Sequence, residues 1–347
     1  MNRLLRHKRI FILLLLLFFL PALFIGWFLF VPPSGTSTAK VVYIKRGMPL
    51  RQIAEFLHEQ GIIRNKHLFI LTTTVLGKKA HLRAGEYEFE SGMQPLEVLN
   101  TLVRGQGKRH RVTIPEGYTL SQIAQLLEDQ KIVERKDFLQ KASSPVLITS
   151  LGLSSSMIGR GVTLEGYLFP ETYQLYKEMD PEEVIKTMVH QFNKVMGPAL
   201  ANRASPHRMS EWETVILASL IEKETPLPEE KPLVSAVFHN RLVQKMPLQS
   251  DPTVIYGIRD FNGNLTKEDL QRPTPYNTYL RTGLPPSPIC NPGKDSLLAA
   301  LNPAPVPYLY FVSKNDGSHH FSSEIEDHNR AVWKFQKNGR KNSLTKK

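Results

Sequence analysis

The 347-residue chain lacks the groups that would make it a disulfide-bonded, nucleotide-binding or metal-dependent protein. Its only cysteine is Cys290, so internal disulfides and cysteine metal clusters are both excluded. The motifs G-x-S-x-G and H-E-x-x-H and the phosphate-binding P-loop are also missing. His319 and His320 with His328 match no standard set of metal ligands. The sequence therefore predicts neither a metal nor a cofactor.

Negative charge is scarce relative to positive charge. The chain has 44 Lys and Arg against 32 Asp and Glu, which gives a formal net charge of +12 at pH 7. Such a surface would attract an anionic partner, for example phospholipid headgroups or an acidic wall polymer. Nucleic acid would be the alternative for a cytosolic chain. The membrane segment described next argues against it, so no nucleic-acid partner is predicted.

A long apolar run lies near the N-terminus. Residues 10–31 carry no charge and reach the length that a bilayer-spanning helix needs, and Arg3, Arg6, Lys8 and Arg9 precede them. A cleaved signal peptide is the alternative, but its apolar region is usually shorter, and the end of this run, F-I-G-W-F-L-F-V-P-P, has no small-x-small cleavage site. The sequence predicts a cytoplasmic tail over residues 1–9, a single-pass transmembrane helix over 10–31, and a periplasmic location for the rest, anchored in the plasma (inner) membrane.

An internal repeat follows a short linker. Residues 32–40 are rich in Pro, Gly, Ser and Thr and predict the linker. In the region 41–150, residues 42–66 align without gaps with residues 112–136, so that Gly47 matches Gly117. Each copy predicts a strand, a glycine turn, an amphipathic helix and a second short helix that begins near Asn65 or Arg135. Between the copies, residues 84–89 predict a strand and residues 95–103 a helix.

The first copy carries a resemblance to a known module. Its pattern Y-x-x-x-G-x-x-L-x-x-I-A resembles the first half of a LysM module, a small βααβ domain that binds N-acetylglucosamine polymers. Tyr43, Gly47, Leu50, Ile53 and Ala54 carry this pattern. The resemblance implies that the region 41–150 is LysM-like and membrane-proximal. The alternative is a packing and spacer domain with no affinity for sugar.

The amino-acid composition of the chain changes beyond residue 150. Residues 143–156 are rich in serine and predict a loop or hinge, and residues 157–337 predict a mixed α+β domain dense in aromatic and polar loop residues. Helices are predicted over residues 181–195, 210–225, 228–245, 267–270 and 295–301. A strand pair is predicted over 308–312 and 320–322, joined by a turn at 315–317. Residues 338–347 form a basic tail. The fold class is therefore α+β behind an N-terminal transmembrane helix.

Two glutamates near the end of the predicted helix 210–225 lie on different sides of it. At about 100° per residue, Glu224 falls on the apolar side of the helix, whereas Glu222 points the opposite way. A carboxyl on an apolar face resists ionisation, which raises its pKa and suits a general acid. The helix begins with a capping box of Ser210 and Glu213 and ends before Pro226. The alternative is that Glu224 frays at the last turn or pairs with an arginine.

Side chains in and after the predicted helix 228–245 form a candidate surface for binding sugars. Arg241 falls inside the apolar stripe of its helix, so its guanidinium should bond a carboxylate or backbone carbonyls and have a structural role first. The loops 248–257 and 274–286 supply amide, hydroxyl and aromatic groups, and the segment 165–173 adds acids and aromatics. The candidate substrate-binding residues are Glu165, Asn240, Arg241, Gln249, Asp251, Thr253, Tyr256, Tyr276, Asn277, Thr278 and Tyr279.

Several longer motifs occur in a fixed order. They are E-G-Y-L-F-P-E-T-Y from residue 165, I-E-K-E-T from 221, V-F-H-N-R-L from 237, L-Q-S-D-P-T-V-I-Y-G from 248, the segment 272–293, and P-Y-L-Y-F-V from 307. In this order and spacing they resemble the YceG-like family, the membrane-anchored endolytic murein transglycosylases, over nearly the whole chain. One departure is Ser250, where threonine is expected, and that change is conservative.

The resemblance implies an activity and a place of action. The catalytic acid of the family is the second glutamate of the E-K-E-T motif, which is Glu224 here. The implied reaction cleaves the β-1,4 bond between N-acetylmuramic acid and N-acetylglucosamine inside a glycan strand and leaves a 1,6-anhydro end, ending the growth of nascent strands. The implied catalytic domain is 157–337. The implied partners are peptidoglycan glycan strands, penicillin-binding proteins and the elongation or division complex.

Two other functions stay open at the level of the sequence. Hydrolytic glycosidases generally use two carboxylates, and Glu165, Glu222 and Asp251 are available as second acids. A muramidase-type hydrolase acting on the same polymer is therefore one alternative. The other is a noncatalytic glycan-binding scaffold of the wall-synthesis machinery, for which Glu224 would be dispensable.

Overall fold

The computed structural model describes residues 39–90, 92–105, 107–153, 163–201 and 209–338, together with Gly26. These residues form helices and two-stranded sheets, which confirms the α+β class. Within these ranges, no helix combines the length and apolar character needed to cross a bilayer. The predicted tail 1–9 and almost all of the predicted transmembrane helix, linker and basic tail lie outside the described residues, so they stay predictions.

Contacts between residues divide the chain into two compact units. The first contains residues 1–111, 130–132 and 174–179, and the second contains residues 112–129, 133–173 and 180–347. The division falls between the two copies of the repeat. The second copy therefore belongs mainly to the second unit, whereas the sequence pattern grouped both copies in the region 41–150.

The first unit is built from a strand pair and three helices that share one apolar core. The strands β1 (Lys40–Ile44) and β2 (Gly85–Phe89) pair antiparallel, with Val42 opposite Tyr87. The strand and helix predicted between the repeats are confirmed to within a residue. The helices are α1 (Leu50–Glu59), α2 (Lys66–Val75) and α3 (Pro95–Arg104), with a short 3₁₀ turn at Lys79–His81.

The two copies of the repeat have the same local structure, as predicted. The second copy consists of β3 (Arg109–Thr113), α4 (Leu120–Asp129) and α5 (Arg135–Ala142). Gly47 and Gly117 both turn with a positive φ, 81° and 75°, a conformation that glycine adopts most readily. Both long helices bury the same positions of the pattern: Leu50, Ile53, Ala54 and Leu57 in α1, and Leu120, Ile123, Ala124 and Leu127 in α4.

The second unit is organised around the helix α8 (Glu211–Glu224). Residues 214–221 of α8 are all buried, because the helices α9 (Lys231–Val243) and α12 (Lys294–Leu301) pack against it. Strand β3 pairs with β4 (Thr172–Tyr176), and the boundary between the two units crosses both strands. In the second unit, β5 (Tyr310–Ser313) pairs antiparallel with β6 (His319–Ser322). The remaining helices are α6 (Pro145–Ser150), α7 (Pro181–Ala201), α10 (Asp251–Tyr256), α11 (Lys267–Leu270) and α13 (Ile325–Val332), the last continued by a π-helical turn at Trp333–Asn338.

Most of the helices predicted for this unit are confirmed, and two predicted loops, 143–156 and 248–257, contain helices. Helices α8, α9, α11 and α12 and the strand pair β5–β6 lie where the sequence placed them, with ends that differ by at most a few residues. Helix α7 continues to Ala201 instead of ending at 195. The segment 143–156 is not simply a loop, because Pro145 at the first helical position and the Ser144 cap start α6 there. Elements β4, α10 and α13 were not predicted.

Candidate active site

Glu224 is the last residue of α8. The helix begins at Ser210, whose hydroxyl accepts from the Glu213 backbone N–H while the Glu213 carboxylate accepts from the Ser210 N–H, which confirms the capping box. It ends because Thr225, the residue before Pro226, has an extended backbone with φ −143° and ψ 134°. Glu224 therefore lies where a buried, rigid helix meets a loop, and it is half-buried.

One oxygen of the Glu224 carboxyl has a protein partner. The Ser250 hydroxyl donates to Glu224 Oε1 at 2.5 Å. The described part of the chain contributes no hydrogen bond to Oε2. One oxygen is thus fixed by the protein, and the other is available to exchange a proton with a ligand.

The surroundings of Glu224 favour its protonated form. Burial raises the pKa of Glu224 from 4.5 to about 7, and the negative charge of Asp251 adds to this increase. The hydrogen bond from Ser250 and the positive charge of Arg241 act in the opposite direction. A carboxyl with a pKa near 7 is largely protonated in mildly acidic solution and can serve as a general acid. The raised pKa inferred from the apolar helix face is therefore confirmed.

Buried threonines hold the Ser250 hydroxyl in place. The Ser250 N–H donates to Thr278 Oγ1 at 3.0 Å, and the hydroxyls of Thr278 and Thr253 lie 2.8 Å apart. The Gln249 N–H donates to the Thr278 carbonyl at 3.1 Å, and Gln249 has a φ of 51°. Thr253 and Thr278 are both buried. Of the candidate residues, these two threonines therefore position the loop that carries Ser250.

Asp251 and Tyr279 form a hydrogen-bonded pair next to Glu224. The Tyr279 hydroxyl donates to Asp251 Oδ1 at 2.6 Å, and Asp251 is exposed at the start of α10. Burial, and then the hydrogen bond to Asp251, raise the pKa of Tyr279, so its hydroxyl stays a donor. The structure brings these two predicted residues together with Glu224.

Arg241 reaches the same region from α9. Its Nε donates to the Leu309 carbonyl at 2.7 Å, and its NH1 donates to three oxygens of residues 247–249 at 3.0, 3.2 and 3.3 Å. The guanidinium carbon also lies 5.4 Å from the centroid of the Tyr310 ring. The prediction that Arg241 bonds carbonyls is confirmed. Its charge fixes the loop before Ser250 and acts on Glu224 from a distance.

Two candidate asparagines anchor loops. The Asn240 amide donates to two carbonyls in residues 306–308, both at 2.9 Å. The Asn277 amide, which is buried, donates to two carbonyls in residues 270–272 at 3.0 and 2.9 Å. These bonds use the amide donors inside the protein, so the structure assigns Asn240 and Asn277 to loop support.

Glu165, Tyr256 and Tyr276 lie in a second cluster. Glu165 is only 3% exposed, and its carboxyl accepts from the Leu120 N–H at 2.8 Å, from Asn291 Nδ2 at 2.8 Å and from the Tyr256 hydroxyl at 3.1 Å. Burial raises the pKa of Glu165 to about 8, while these three donors lower it. The Tyr256 ring meets the Tyr276 ring edge-on with centroids 4.9 Å apart. In the described residues no hydrogen bond joins this cluster to the Glu224 carboxyl.

The single cysteine belongs to the support of this second cluster. Cys290 directly precedes Asn291 and is fully buried, and its thiol donates to the Ser219 carbonyl at 3.3 Å. Burial raises the pKa of the Cys290 thiol. A buried, neutral thiol is a poor nucleophile, so Cys290 has no catalytic part here.

Glu222 lies away from the Glu224 carboxyl and has a structural role. It lies on the opposite side of α8 from Glu224, as the helical spacing predicts, but this side is covered as well. Its carboxylate accepts from Lys231 Nζ at 3.2 Å, from the Gly293 N–H at 3.0 Å and from the Ser296 hydroxyl at 2.6 Å. The Glu222 and Lys231 side chains are 8% and 4% exposed. Glu222 is therefore half of a buried ion pair that ties α8 to α9 and α12.

The histidines considered as metal ligands have protein partners instead. His319 donates its backbone N–H to Glu230 Oε1 at 2.7 Å, and its ring Nδ1 lies 2.7 Å from Glu230 Oε2. The His328 ring stacks on Tyr310 with centroids 5.2 Å apart. Across the described ranges, no group of three or more potential metal-binding side chains occurs.

Ser250 and Tyr310 are the members of the site that sequence reasoning missed. The sequence placed Ser250 among the polar residues of the loop 248–257 and as a departure from threonine, but not among the candidate site residues, although its position next to Asp251 within one motif was a signal. Tyr310 lies in the motif P-Y-L-Y-F-V and was read only as part of a strand. Ser250 became recognisable once the structure placed α10 against α8, and Tyr310 once its ring lay 5.4 Å from the Arg241 guanidinium carbon.

Residues 42–334 match the model of the YceG-like family. The chain is 32% identical over 313 residues to an endolytic murein transglycosylase of Bacillus subtilis, with 87% of this chain and 86% of that protein covered. It is 31% identical over 331 residues to a protein of the same name from Streptococcus pneumoniae, of which it covers 59%. A solved structure of a yceG-like protein from Listeria monocytogenes matches with a TM-score of 0.59 at 30% identity, over 85% of this chain and 99% of that one.

Proposed function

Because the chain belongs to the YceG-like family, we propose that it is an endolytic murein transglycosylase, a lyase that cleaves peptidoglycan glycan strands. The cleaved bond is the β-1,4 bond between N-acetylmuramic acid and N-acetylglucosamine, and the new end is 1,6-anhydro-N-acetylmuramic acid. One observation carries the assignment of the catalytic acid. Glu224 is a half-buried carboxyl with a pKa of about 7, held through one oxygen by Ser250.

In the first half of the reaction Glu224 acts as an acid. Its carboxyl donates a proton to the glycosidic oxygen, and the bond from that oxygen to the anomeric carbon of muramic acid breaks. The leaving sugar departs with a free 4-hydroxyl. Positive charge develops at the anomeric carbon at this stage, and the exposed carboxylate of Asp251 supplies negative charge nearby.

In the second half the same residue acts as a base. The Glu224 carboxylate takes the proton of the muramic 6-hydroxyl, whose oxygen bonds to the anomeric carbon and closes the anhydro ring. No water is consumed, and the carboxyl returns to its protonated state. The Ser250 hydroxyl, which donates to Oε1, stabilises the carboxylate that exists between the two proton transfers.

The experiment that tests this function is digestion of purified glycan strands followed by mass spectrometry of the ends. A transglycosylase releases anhydro ends, which are lighter by one water than reducing ends. Wild type should produce them, and Glu224→Gln should not. If Glu224→Gln, shown to be folded by circular dichroism, cleaves as well as wild type, the role of Glu224 is overturned. If neither protein cleaves, a noncatalytic glycan-binding scaffold is favoured.

A hydrolase acting on the same polymer is the second candidate, and one observation favours it. Asp251 provides a second carboxylate close enough to raise the pKa of Glu224, and hydrolytic glycosidases generally use such a pair. Digestion in water labelled with oxygen-18 separates the two reactions. A hydrolase incorporates the label at each new reducing end, whereas a transglycosylase gives unlabelled anhydro ends.

The place of action is part of the proposal. The uncharged segment 10–31 and the basic residues before it support an uncleaved anchor in the inner membrane, with the catalytic unit in the periplasm. A reporter fused after Lys347 should be active only outside the cytoplasm, and the mature chain should keep its N-terminus. Recovery of a soluble form that begins near Pro32 would refute the anchor.

The first unit is proposed to contact glycan as a LysM-like domain. The order β1, α1, α2, β2 with the two strands paired antiparallel supports this proposal. Full-length protein with Glu224→Gln and the same protein lacking residues 41–104 should differ in retention on insoluble peptidoglycan. Retention that disappears when salt screens the charges would indicate attraction of a basic protein to an acidic wall.

Penicillin-binding proteins and the elongation or division complex are the proposed protein partners.

A further inference from the structure

The helix α2 of the first unit presents apolar side chains to solvent at its C-terminal end. Leu71 and Val75 are four positions apart, so they are neighbours on one side of the helix, and they are 49% and 76% exposed. Leu76, which follows the helix directly, is 49% exposed. The other side of α2 lies in the core of the unit through Phe69. Helix α2 therefore has two apolar sides, and the described part of the chain covers one of them.

Polar groups at this end of α2 already have partners within the helix. The exposed Thr74 donates its hydroxyl to the Ile70 carbonyl at 2.8 Å. Gly77 ends the helix with a φ of 64°, and its N–H donates to the Thr74 carbonyl at 3.0 Å. No described residue other than its chain neighbours lies within 4 Å of the point where a Cβ of Gly77 would be. An apolar environment could therefore cover this open turn without leaving these polar groups unpaired.

The charged residues in this segment are all positive. Residues 60–85 contain no Asp or Glu, although they include five Lys and Arg. Lys66, at the start of α2, is paired with Glu55 at 2.6 Å. Lys78 and Lys79 follow the turn after α2, and among the described residues neither has a salt-bridge partner. The exposed apolar side chains and these two lysines together are called the α2 patch: Leu71, Val75, Leu76, Lys78 and Lys79.

The second copy of the repeat has a charged residue where the first has the patch. Continuing the alignment of the two copies beyond Lys66 and Lys136 places Lys141 at the position of Leu71. Lys141 lies on α5, and its ammonium is paired with Glu182 at 3.1 Å. A strand–turn–helix–helix copy of this kind therefore folds with a solvated charge at this position. Packing within the repeat does not explain the exposed Leu71.

For a chain anchored as proposed above, a bilayer surface lies close to the first unit. The predicted transmembrane segment ends at Val31 and β1 begins at Lys40, so the chain between them extends over at most about 30 Å. So short a connection makes contact between the unit and the lipid intramolecular, and a weak interaction is then sufficient. Apolar side chains with lysines beside them are typical of segments that lie in the membrane interface, and anionic headgroups attract the lysines.

We infer that the α2 patch contacts the surface of the membrane that holds the anchor. Its three apolar side chains lie among the headgroups and the upper part of the acyl chains, and Lys78 and Lys79 pair with anionic headgroups. The inference is independent of the reaction at Glu224, but it rests on the anchor proposed above. The contact gives the first unit a defined orientation, with the C-terminal end of α2 toward the lipid.

Fluorescence quenching in vesicles of phosphatidylcholine and phosphatidylglycerol tests the contact. The full-length chain is labelled with a small fluorophore through Thr74→Cys or, as a control, through Glu88→Cys, and is then reconstituted. Glu88 is exposed on the side of β2 that faces away from the core, and Cys290 is fully buried and takes up no label in the folded chain. Spin-labelled lipid should quench the label on α2, and the aqueous quencher acrylamide should not reach it. The label on β2 should behave in the opposite way.

Substitutions in the labelled chain separate the charged and the apolar parts of the contact. Lys78→Gln and Lys79→Gln should each lower the ratio of lipid-bound to free α2 about fivefold in these vesicles, and much less in phosphatidylcholine alone. Leu71→Gln should lower the ratio in both kinds of vesicle. Lys45 is exposed in the same unit outside the patch, so Lys45→Gln should keep the ratio. An equal loss in Lys45→Gln would indicate general attraction of a basic protein and would overturn the inference.

Extraction at alkaline pH, which removes proteins that are only adsorbed, distinguishes failure of the inference from failure of the anchor. If the chain resists extraction and acrylamide reaches the label on α2 as readily as the label on β2, the inference fails and the anchor stands. If the chain is extracted, the anchor fails, and the quenching measured before extraction still decides the patch. Protection from acrylamide without quenching by lipid, lost when each nanodisc holds one chain, would place a second copy of the chain on the patch and contradict the inference. Neither readout depends on turnover.

Discussion

Glu224 and Glu165 both have a raised pKa, but the groups around the two carboxyls differ. Burial raises the pKa of both groups, to about 7 in Glu224 and about 8 in Glu165. Glu165 accepts hydrogen bonds from three donors and is nearly inaccessible, whereas Glu224 is half-buried and accepts one bond, from Ser250. A raised pKa therefore does not identify the catalytic acid by itself. The distinguishing feature is an oxygen that a substrate can reach.

The largest expected effect is the loss of catalytic activity when each of these carboxyls is replaced by glutamine. Glu224→Gln should lower kcat/KM by a factor of about 10² to 10⁴, because the group that transfers both protons is lost. Glu165→Gln should lower it by less than about tenfold. The measurement is the initial rate of formation of anhydro ends on purified glycan strands. Similar losses in the two variants, both folded, would remove the distinction between the regions.

The order of the two variants should reverse when stability is measured: Glu165→Gln should lose more than Glu224→Gln. In Glu165→Gln the amide oxygen can still accept from Leu120 and Asn291, but the amide group that replaces Oε2 cannot accept from the Tyr256 hydroxyl, so the free energy of unfolding should fall by about 1–3 kcal/mol. Glu224→Gln should change it by less than about 1 kcal/mol, since the carboxyl is half-buried and its Ser250 bond can be kept by the amide oxygen. Urea denaturation followed by circular dichroism measures both. A larger loss in Glu224→Gln than in Glu165→Gln would contradict this expectation.

The pH dependence of stability should also depend on Glu165. Its pKa rises from 4.5 to about 8 on folding, so the folded state binds more protons than the unfolded state between these values. The contribution of Glu165 is fully present below pH 4.5 and is lost as the pH rises through 8. Glu165→Gln cannot titrate, so its Tm should change less than that of wild type between pH 5 and pH 8. Parallel curves for the two proteins would show that Glu165 does not titrate in this range.

The smallest effects, and the most specific, concern the neighbours that set the pKa of Glu224. The rate of wild type should fall as the pH rises through about 7, because the acid must begin protonated. Ser250→Ala removes a hydrogen bond that lowers this pKa, so the falling limb should move to higher pH. Asp251→Asn removes a charge that raises it, so the limb should move to lower pH. Profiles of kcat/KM against pH that shift in the same direction would contradict these assignments.

Local pattern was enough to find Glu224 and much of the second unit. The capping box, the apolar stripe and Pro226 fixed the ends of α8 and the side on which Glu224 lies, because these signals depend on residues a few positions apart. The carbonyl partners of Arg241 were predicted on the same basis, since a buried guanidinium needs acceptors. The repeat was readable because both copies bury the same positions.

The rest of the site depends on contacts between distant segments. Ser250 reaches Glu224 because Gln249 adopts a φ of 51° and because Thr278, a residue 28 positions later, binds the Ser250 N–H. The helix pattern placed Glu222 opposite Glu224 without a partner, whereas in the structure α12, which lies some 70 residues further along the chain, covers it. A helical projection of one segment contains no information about what packs on its far side.

The lone thiol gives this chain a built-in reporter of local opening. Cys290 is fully buried and lies between Ile289 and Asn291, which bond Ser219 and Glu165 respectively. A thiol reagent can reach it only when this part of the second unit opens, so the rate of labelling measures how often that happens. No engineered cysteine is needed, and any variant that loosens the support of Glu165 should be labelled faster at concentrations of urea at which the chain is still folded.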